Sequence, residues 1–546
     1  MDKKLWMATM GSVVLSLGVL GGCGTNTNST SSKPATTAVQ SGGKIVIDEP
    51  DEISSLDPAI AYSLINDEIV FQLYDQLVTY KPGTSEIAPD LASSWDISSD
   101  GKTYTFHLKK GVKFWNRDDM TAQSFIDEFE RVLSKTVDSP GEGFLDPIVV
   151  GSTAFHDGKA KSVSGLSAPD PYTLVIKLTK PEPFFLQVLA QEFFSPVDKK
   201  YIDSIGNDAF AFKPMGTGPF ELKSYQQEHQ LVLTKNPNYF IPNKPKLDEI
   251  DISIQTNESL SAMRFQQGTT AFIDFNQNID SQDFVSMMKN PKYKNDFYKE
   301  TLNTLGFLNI NNQSGPFKQK LVRQAVNYAV NKQRLVQLQN GRASVAYQIL
   351  PPNMPGYESD LPSNVKYTYD PAKAKELLKE AGYQNGFSTE ILTPNDESTV
   401  KLVQSIQADL AVVGIKASIK PVPASTYSPL AQSGKEPLVY EIWSQDFPDP
   451  YDFLDSFLNS RNIPDINRSF YSNGAIDKEL NQAANMQQGD ARIALYQKIQ
   501  NQALADAALM PLYYPVQYAV VQPWLKGFYM NPVHLDPLQD ISVQSH

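Results

Sequence analysis

Cysteine is almost absent: the 546-residue chain has one, Cys23, so no intramolecular disulfide can form. A fold of this size has core enough to do without one. Histidine is scarce as well. His107, His156, His229, His534 and His546 include no pair at metal-ligand spacing, so no metal site is expected. Basic residues are outnumbered, 48 Lys and Arg against 61 Asp and Glu, and the formal net charge is −13. Phosphate backbones need clustered Lys and Arg, so nucleic acid is not an expected partner. No G-x-S-x-G elbow is present. Gly216-Thr217-Gly218-Pro219-Phe220 lacks the Lys of a phosphate loop, and Pro219 removes a backbone donor; it reads as a tight turn into a strand. A carboxylate pair for glycoside hydrolysis has no positive support among the many Asp and Glu. No catalytic residue and no cofactor is expected. After residue 22 no hydrophobic run is long enough to cross a bilayer.

What is present begins with an address. Lys3 and Lys4 precede an apolar run from Leu5 to Leu20, interrupted by Thr9, Gly11, Ser12, Ser16 and Gly18. Residues 1–22 therefore read as a signal peptide. The run ends Leu20-Gly21-Gly22-Cys23, which resembles the lipobox of bacterial lipoproteins. That resemblance implies cleavage before Cys23 and lipidation of its thiol. The following residues, to 43, are nearly all Gly, Thr, Asn, Ser, Ala and Gln, the composition of a flexible tether. The chain is expected to be extracytoplasmic and lipid-anchored to the cell membrane.

The folded part should start near Lys44, where Ile45 and Ile47 begin a strand alternation. The Ser99-Asp100-Gly101 turn leads into Tyr104, Phe106 and Leu108, which alternate with polar residues. Thr121 can cap a helix carrying Phe125, Phe129, Val132 and Leu133 at helical spacing. Tyr172, Leu174, Ile176 and Leu178 mark another strand, and Leu231-Val232-Leu233 and Ile250, Ile252 and Ile254 two more. Leu321, Ala325, Tyr328 and Ala329 predict a helix over 317–337. Asp370-Pro371 is a helix start, with Leu377, Leu378 and Ala381 following and Gly382 as a left-handed stop. A further helix runs through Leu402, Ile406 and Leu410 to Gly414, and Ile415, Ala417 and Ile419 alternate after it. Interleaved strands and helices make the class α/β with mixed sheets.

Several of these segments occur in an order that resembles family 5 of the bacterial extracellular solute-binding proteins, the peptide-binding components of ABC importers. The likeness is carried by Ala92-Ser93-Ser94-Trp95, Asp100-Gly101-Lys102-Thr103-Tyr104-Thr105-Phe106-His107-Leu108, Gly111-Val112-Lys113-Phe114 and Thr121-Ala122. It continues through Ser55-Leu56-Asp57-Pro58, Gly216 to Phe220, Asn236-Pro237-Asn238-Tyr239, Arg323-Gln324-Ala325, Tyr369-Asp370-Pro371, Asp446-Phe447-Pro448-Asp449-Pro450 and Pro511-Leu512-Tyr513-Tyr514. The resemblance implies a bilobal, periplasmic-binding-protein-like (Venus flytrap) fold with an extra inserted domain. Domain I would comprise 44–74, 206–300 and 510–546, domain II 75–205 and domain III 301–509.

It also implies a ligand and a partner: an oligopeptide, delivered by a monomeric binding protein to an ABC permease in the membrane. Peptides differ in side chain but share a backbone, so a general binder should add the ligand as an extra strand. The peptide's ammonium, once buried, needs a carboxylate. Peptide-binding members of the family place an Asp shortly after a Trp for this purpose, and Trp443-Ser444-Gln445-Asp446 matches. Asp446 would be the amine anchor, or else an Asp that shapes the Asp-Phe-Pro-Asp-Pro turn. Ile442, Trp443 and Ser444 would offer one edge to the ligand backbone, and Tyr62, Ser63 and Leu64 the other; Trp443 is equally readable as core. Leu56-Asp57-Pro58 reads as a structural turn. Some oligopeptide binders carry an Arg three residues before the Trp, near the ligand's carboxyl end; here Tyr440 stands there, which leaves that route of recognition without its residue. Other ligands compatible with the fold are oligosaccharides and metal chelates, and a surface peptide receptor would need the same pocket.

Overall fold

The computed structural model describes residues 42–273, 281–533 and 538–544. The signal peptide, Cys23 and all but the end of the tether lie outside the described residues. Among the described residues no helix is long and apolar enough to cross a membrane.

Strand alternation builds the first sheet as expected. Lys44–Asp48 runs parallel to Glu249–Ser253, which pairs antiparallel with Gln230–Lys235, itself paired with Phe220–Gln226. Register sets Ile45 opposite Ile250 and Ile47 opposite Ile252, so four isoleucines enter one core. The helix Leu64–Leu73 packs Ile65, Ile69, Val70 and Leu73 into it. Gly216 allows the chain to pass this helix closely: a Cβ there would lie 1.9 Å from the carbonyl oxygen of Leu73. Sterics, and not phosphate, therefore explain the glycine-rich turn.

A second sheet orders Ala92–Ile97, Thr103–Leu108, Thr173–Lys177 and Leu166–Asp170. Tyr104, Phe106 and Leu108 point inward and meet Phe125 and Phe129 of the helix Ala122–Val132. These two sheets and their helices form one lobe.

The other lobe is built on an eight-stranded mixed sheet. Its parallel pair, Phe387–Pro394 and Ile415–Val422, is joined across by the helix Glu397–Val412, the crossover that parallel strands require. Asp370 caps Pro371–Glu380 by accepting from the Lys373 N–H at 2.9 Å, and Gly382 takes φ +86° after it. The helix expected over 317–337 is two. Lys320–Ala329 ends at Val330, and Lys332–Leu338 restarts under an Asn331 cap. The Asn331 N–H donates to Asp409 Oδ2 at 2.9 Å, which holds the chain out of helical geometry at the break.

The long strand Leu509–Val521 belongs to both lobes. Met510, Leu512 and Tyr513 lie in the core of the eight-stranded sheet, whereas Ala519 and Val521 lie in the core of the first sheet. The chain also crosses between Phe297–Thr301 and Thr304–Ile310, where the Leu302 N–H donates to the Pro515 carbonyl at 3.2 Å. A hinge between the lobes would lie at these two adjacent crossings.

Candidate functional site

Asp446 stands where the lobes meet. It follows the strand Leu438–Ser444 of the eight-stranded sheet. Its backbone carbonyl accepts from Gln191 Nε2 at 3.0 Å and its Oδ1 from the Tyr62 hydroxyl at 3.3 Å, both on the opposite lobe. Its N–H donates to Asp452 Oδ2 at 3.3 Å. The next residue, Phe447, is buried among the aromatics of the other lobe, stacked on Phe184 at 4.9 Å, and Phe184 in turn stacks on Tyr451 at 4.6 Å. Gln488 and Gln487 reach across to the carbonyls of Pro183 and Ser99 at 3.2 and 3.3 Å. The lobes are thus closed on each other.

The strand edge beside Asp446 is open. Leu438–Ser444 pairs along its whole length with Thr304–Ile310, but on its other side only Leu438 and Val439 pair, with Ile391 and Leu392. From Tyr440 to Ser444 that side has no strand partner among the described residues. Ile442 is 51% exposed, unusual for an isoleucine in a large sheet, and Ser444 is exposed with its hydroxyl 3.0 Å from that of Thr304. Trp443 faces inward: its indole N–H donates to Asp452 at 3.3 Å and its ring lies edge-on to Phe457. It braces the strand and orients Asp452. Tyr440 is 1% exposed and hydrogen-bonds Tyr513, so it is a core residue.

The segment 62–64, expected to offer the other edge to the ligand backbone, is not in a strand. Ser63 is the N-cap of Leu64–Leu73, accepting from the Asn66 N–H, while its own N–H donates to Asp67 Oδ1 at 3.2 Å. Leu64 is the first helical residue, so its backbone follows the helix and not a ladder. Tyr62 remains at the site, 56% exposed, its ring 5.6 Å from Phe193.

Two carboxylates missed by sequence reading join this group. Asp67 lies one turn into the helix behind Tyr62. Glu192 sits between Gln191, which holds Asp446, and Phe193, which packs on Tyr62. A signal for Glu192 was available: a lone carboxylate inside the apolar run Leu189-Ala190-Gln191-Glu192-Phe193-Phe194. Burial holds the Asp446 carboxyl above its ordinary range, with the Tyr62 hydroxyl pulling it back. Burial pushes Asp67 up to about 7. Glu192 rises well above the usual carboxylate range, first through burial and then through the charges of Asp67 and Asp446. Asp452 behaves alike, through burial and then Asp446. Among the described residues no lysine or arginine acts on Asp67, Glu192 or Asp446.

Comparison with known proteins agrees with this architecture. The profile described as bacterial extracellular solute-binding proteins, family 5 Middle, matches residues 86–465. Heme-binding protein A of Haemophilus influenzae is 31% identical over 492 residues, covering 86% of this chain and 87% of its own length. The dipeptide-binding protein of Escherichia coli is 29% identical over 485 residues, covering 86% and 89%. The ABC transporter-associated periplasmic binding protein DppA from Helicobacter pylori, solved in complex with the peptide STSA, superposes with a TM-score of 0.75 at 30% identity, covering 93% of this chain and 99% of that one.

Proposed function

The chain belongs to the bacterial extracellular solute-binding proteins of family 5, with their bilobal periplasmic-binding-protein-like fold, and from that premise we propose that it captures oligopeptides and hands them to an ABC permease. Members of this family bind solutes outside the cytoplasm and are not enzymes. The observation that carries the peptide reading is the pairing of an open strand edge, Glu441 to Ser444, with a carboxylate two residues beyond it, Asp446, that has no cation among the described residues.

The edge offers backbone donors and acceptors to any extended chain, whatever its side chains. Asp446 offers a charge-assisted hydrogen bond to the chain's leading ammonium, and the Tyr62 hydroxyl orients that carboxylate. Ile442 and Tyr62 supply exposed apolar surface on the two sides. Opening at the hinge by Leu302 and Pro515 admits the ligand, and closure seats Phe447 against Phe184 over it. Lipidation at Cys23 and the polar tether after it would keep the protein at the membrane beside its permease.

A haem or other polyanionic ligand fits this chemistry poorly, since its carboxylates would meet Asp67, Glu192 and Asp446 with no cation between them. A neutral oligosaccharide has no charge to set against Asp446. Mass spectrometry of ligand released from protein purified without refolding tests the reading: a mixture of short peptides is expected, and haem, a metal chelate or a sugar as the sole retained ligand overturns it. For lipidation, Cys23→Ala is expected to release the protein from the membrane fraction into the medium or periplasm.

A further inference from the structure

The cleft holds more carboxyl groups than one ammonium can pair. Asp446, Asp67 and Glu192 come from three separate segments, and the contacts around Glu192 fix it in the same place: Gln191 bonds the Asp446 carbonyl at 3.0 Å and Phe193 lies 5.6 Å from Tyr62. Glu192 is only 6% exposed, yet among the described residues its carboxylate has no ion pair and no hydrogen bond to another residue. Carboxylates this deep are ordinarily neutralised by a built-in cation, as Asp57 and Glu128 are by Arg131 in this same lobe. Each charged or titratable neighbour of the group is acidic or phenolic: Asp67 on the helix Leu64–Leu73, Tyr62 before it, Asp446 after the sheet strand, and Asp452 behind Asp446.

Building on the peptide reading above, we propose that the cleft selects peptides whose first residue is lysine or arginine, the α-ammonium pairing with Asp446 and the side-chain cation with Glu192 and Asp67. A peptide with one leading charge satisfies Asp446 and leaves Glu192 and Asp67 to stay protonated or to repel each other. A second cation removes that repulsion and supplies the missing partner in a site from which closure excludes water, where an ion pair is worth most. The stem of a lysine or arginine is long enough to leave its charge several ångströms from the α-ammonium, and its methylenes suit the Tyr62 and Phe193 rings.

The test uses the intact chain and three tripeptides that differ only in the first residue: Lys-Ala-Ala, norleucine-Ala-Ala, which has nearly the same length without the charge, and Glu-Ala-Ala. Calorimetry at neutral pH is expected to give at least tenfold tighter binding for the lysine peptide than for the norleucine peptide, with the glutamate peptide weakest. Glu192→Gln is expected to bring the lysine-to-norleucine ratio within about threefold, and Asp67→Asn to reduce it in the same sense; the second variant serves where the first does not fold. Equal affinity of the two peptides for the unmodified protein overturns the proposal, as does a ratio that survives both substitutions. In either case binding of the norleucine peptide that is abolished by acetylating its amine leaves the peptide reading standing. Failure of all three to bind, with or without the charge, overturns both.

Discussion

Two buried acidic clusters in this protein look alike in composition and differ in one respect. At the first, Asp57 and Glu128 share Arg131, which donates to Asp57 Oδ2 at 2.8 Å and to Glu128 Oε2 at 2.7 Å. At the second, Asp446 accepts from the Tyr62 hydroxyl and Asp67 from the Ser63 N–H, and among the described residues no lysine or arginine joins them or Glu192. The same contrast recurs within one motif. Asp449 is 1% exposed, caps the helix Pro450–Leu458 and takes two bonds from the buried Arg492 guanidinium, at 2.7 and 2.8 Å. Asp446, three residues earlier, has no cation among the described residues. A carboxylate with its own guanidinium is a structural element, because the pair is complete before any ligand arrives. A carboxylate desolvated without one is held ready for a charge from outside.

That contrast can be broken experimentally. The largest effect is expected from Arg131→Met, which strands two buried carboxylates and should cost about 3–5 kcal/mol of stability in denaturant unfolding; Asp446→Asn, by contrast, should leave the empty protein as stable or more so. A destabilisation by Asp446→Asn that matches Arg131→Met would erase the distinction. Next in size, Asp446→Ala should weaken peptide binding by about 3 kcal/mol in calorimetry, since it leaves the ligand's ammonium buried and unpaired, and acetylating the peptide's amine should lose a similar amount on the unmodified protein only. Phe447→Ala should cost up to about 3 kcal/mol of closure, by analogy with aromatic truncation in cores. It would be read as weaker peptide binding and a larger radius of gyration by small-angle scattering, with unfolding of the separate lobes little changed.

The smallest effect concerns protons. Asp67 titrates near 3.8 when exposed and near 7 in the folded protein, so the folded state binds the proton more tightly. Stability from this group is therefore complete below about pH 4 and lost as pH rises through 7. Glu128, buried beside Arg131, is raised to about 7 as well and follows the same sign. A cationic peptide should consequently release a fraction of a proton on binding at pH 6, seen as a dependence of binding heat on buffer ionisation enthalpy, and its affinity should fall between pH 8 and pH 5. The titrating neighbours are Glu192, Asp446, Asp452 and Tyr62. Proton uptake in place of release would contradict the assignment.

Much of the architecture was legible in the amino-acid order because its causes are local. Alternation at Ile45 and Ile47 or at Tyr104, Phe106 and Leu108 follows from the two-residue repeat of a strand. Asp370-Pro371 starts a helix through its own side chain and a preset φ. The break at Val330 was not legible, because Asp409, 78 residues away, holds the Asn331 N–H that makes it. Nor was the conformation at Ser63 and Leu64, where the Ser63 cap and its reciprocal contact with Asp67 start a helix. Trp443 could be read as ligand surface or as core, and only the position of Asp452 and Phe457 turned its ring inward.

The order of residues by itself determined the strands, most of the helices, the family and Asp446 as the carboxylate to watch. Tertiary structure alone decided which acids are spoken for. Asp57 meets Arg131 across 74 residues and Asp449 meets Arg492 across 43, while Glu192 arrives beside Asp446 with no base acting on either among the described residues. Pattern in a chain reports on bonds between near neighbours, whereas the charge of a buried group is set by whatever the fold brings within a few ångströms of it once water has gone.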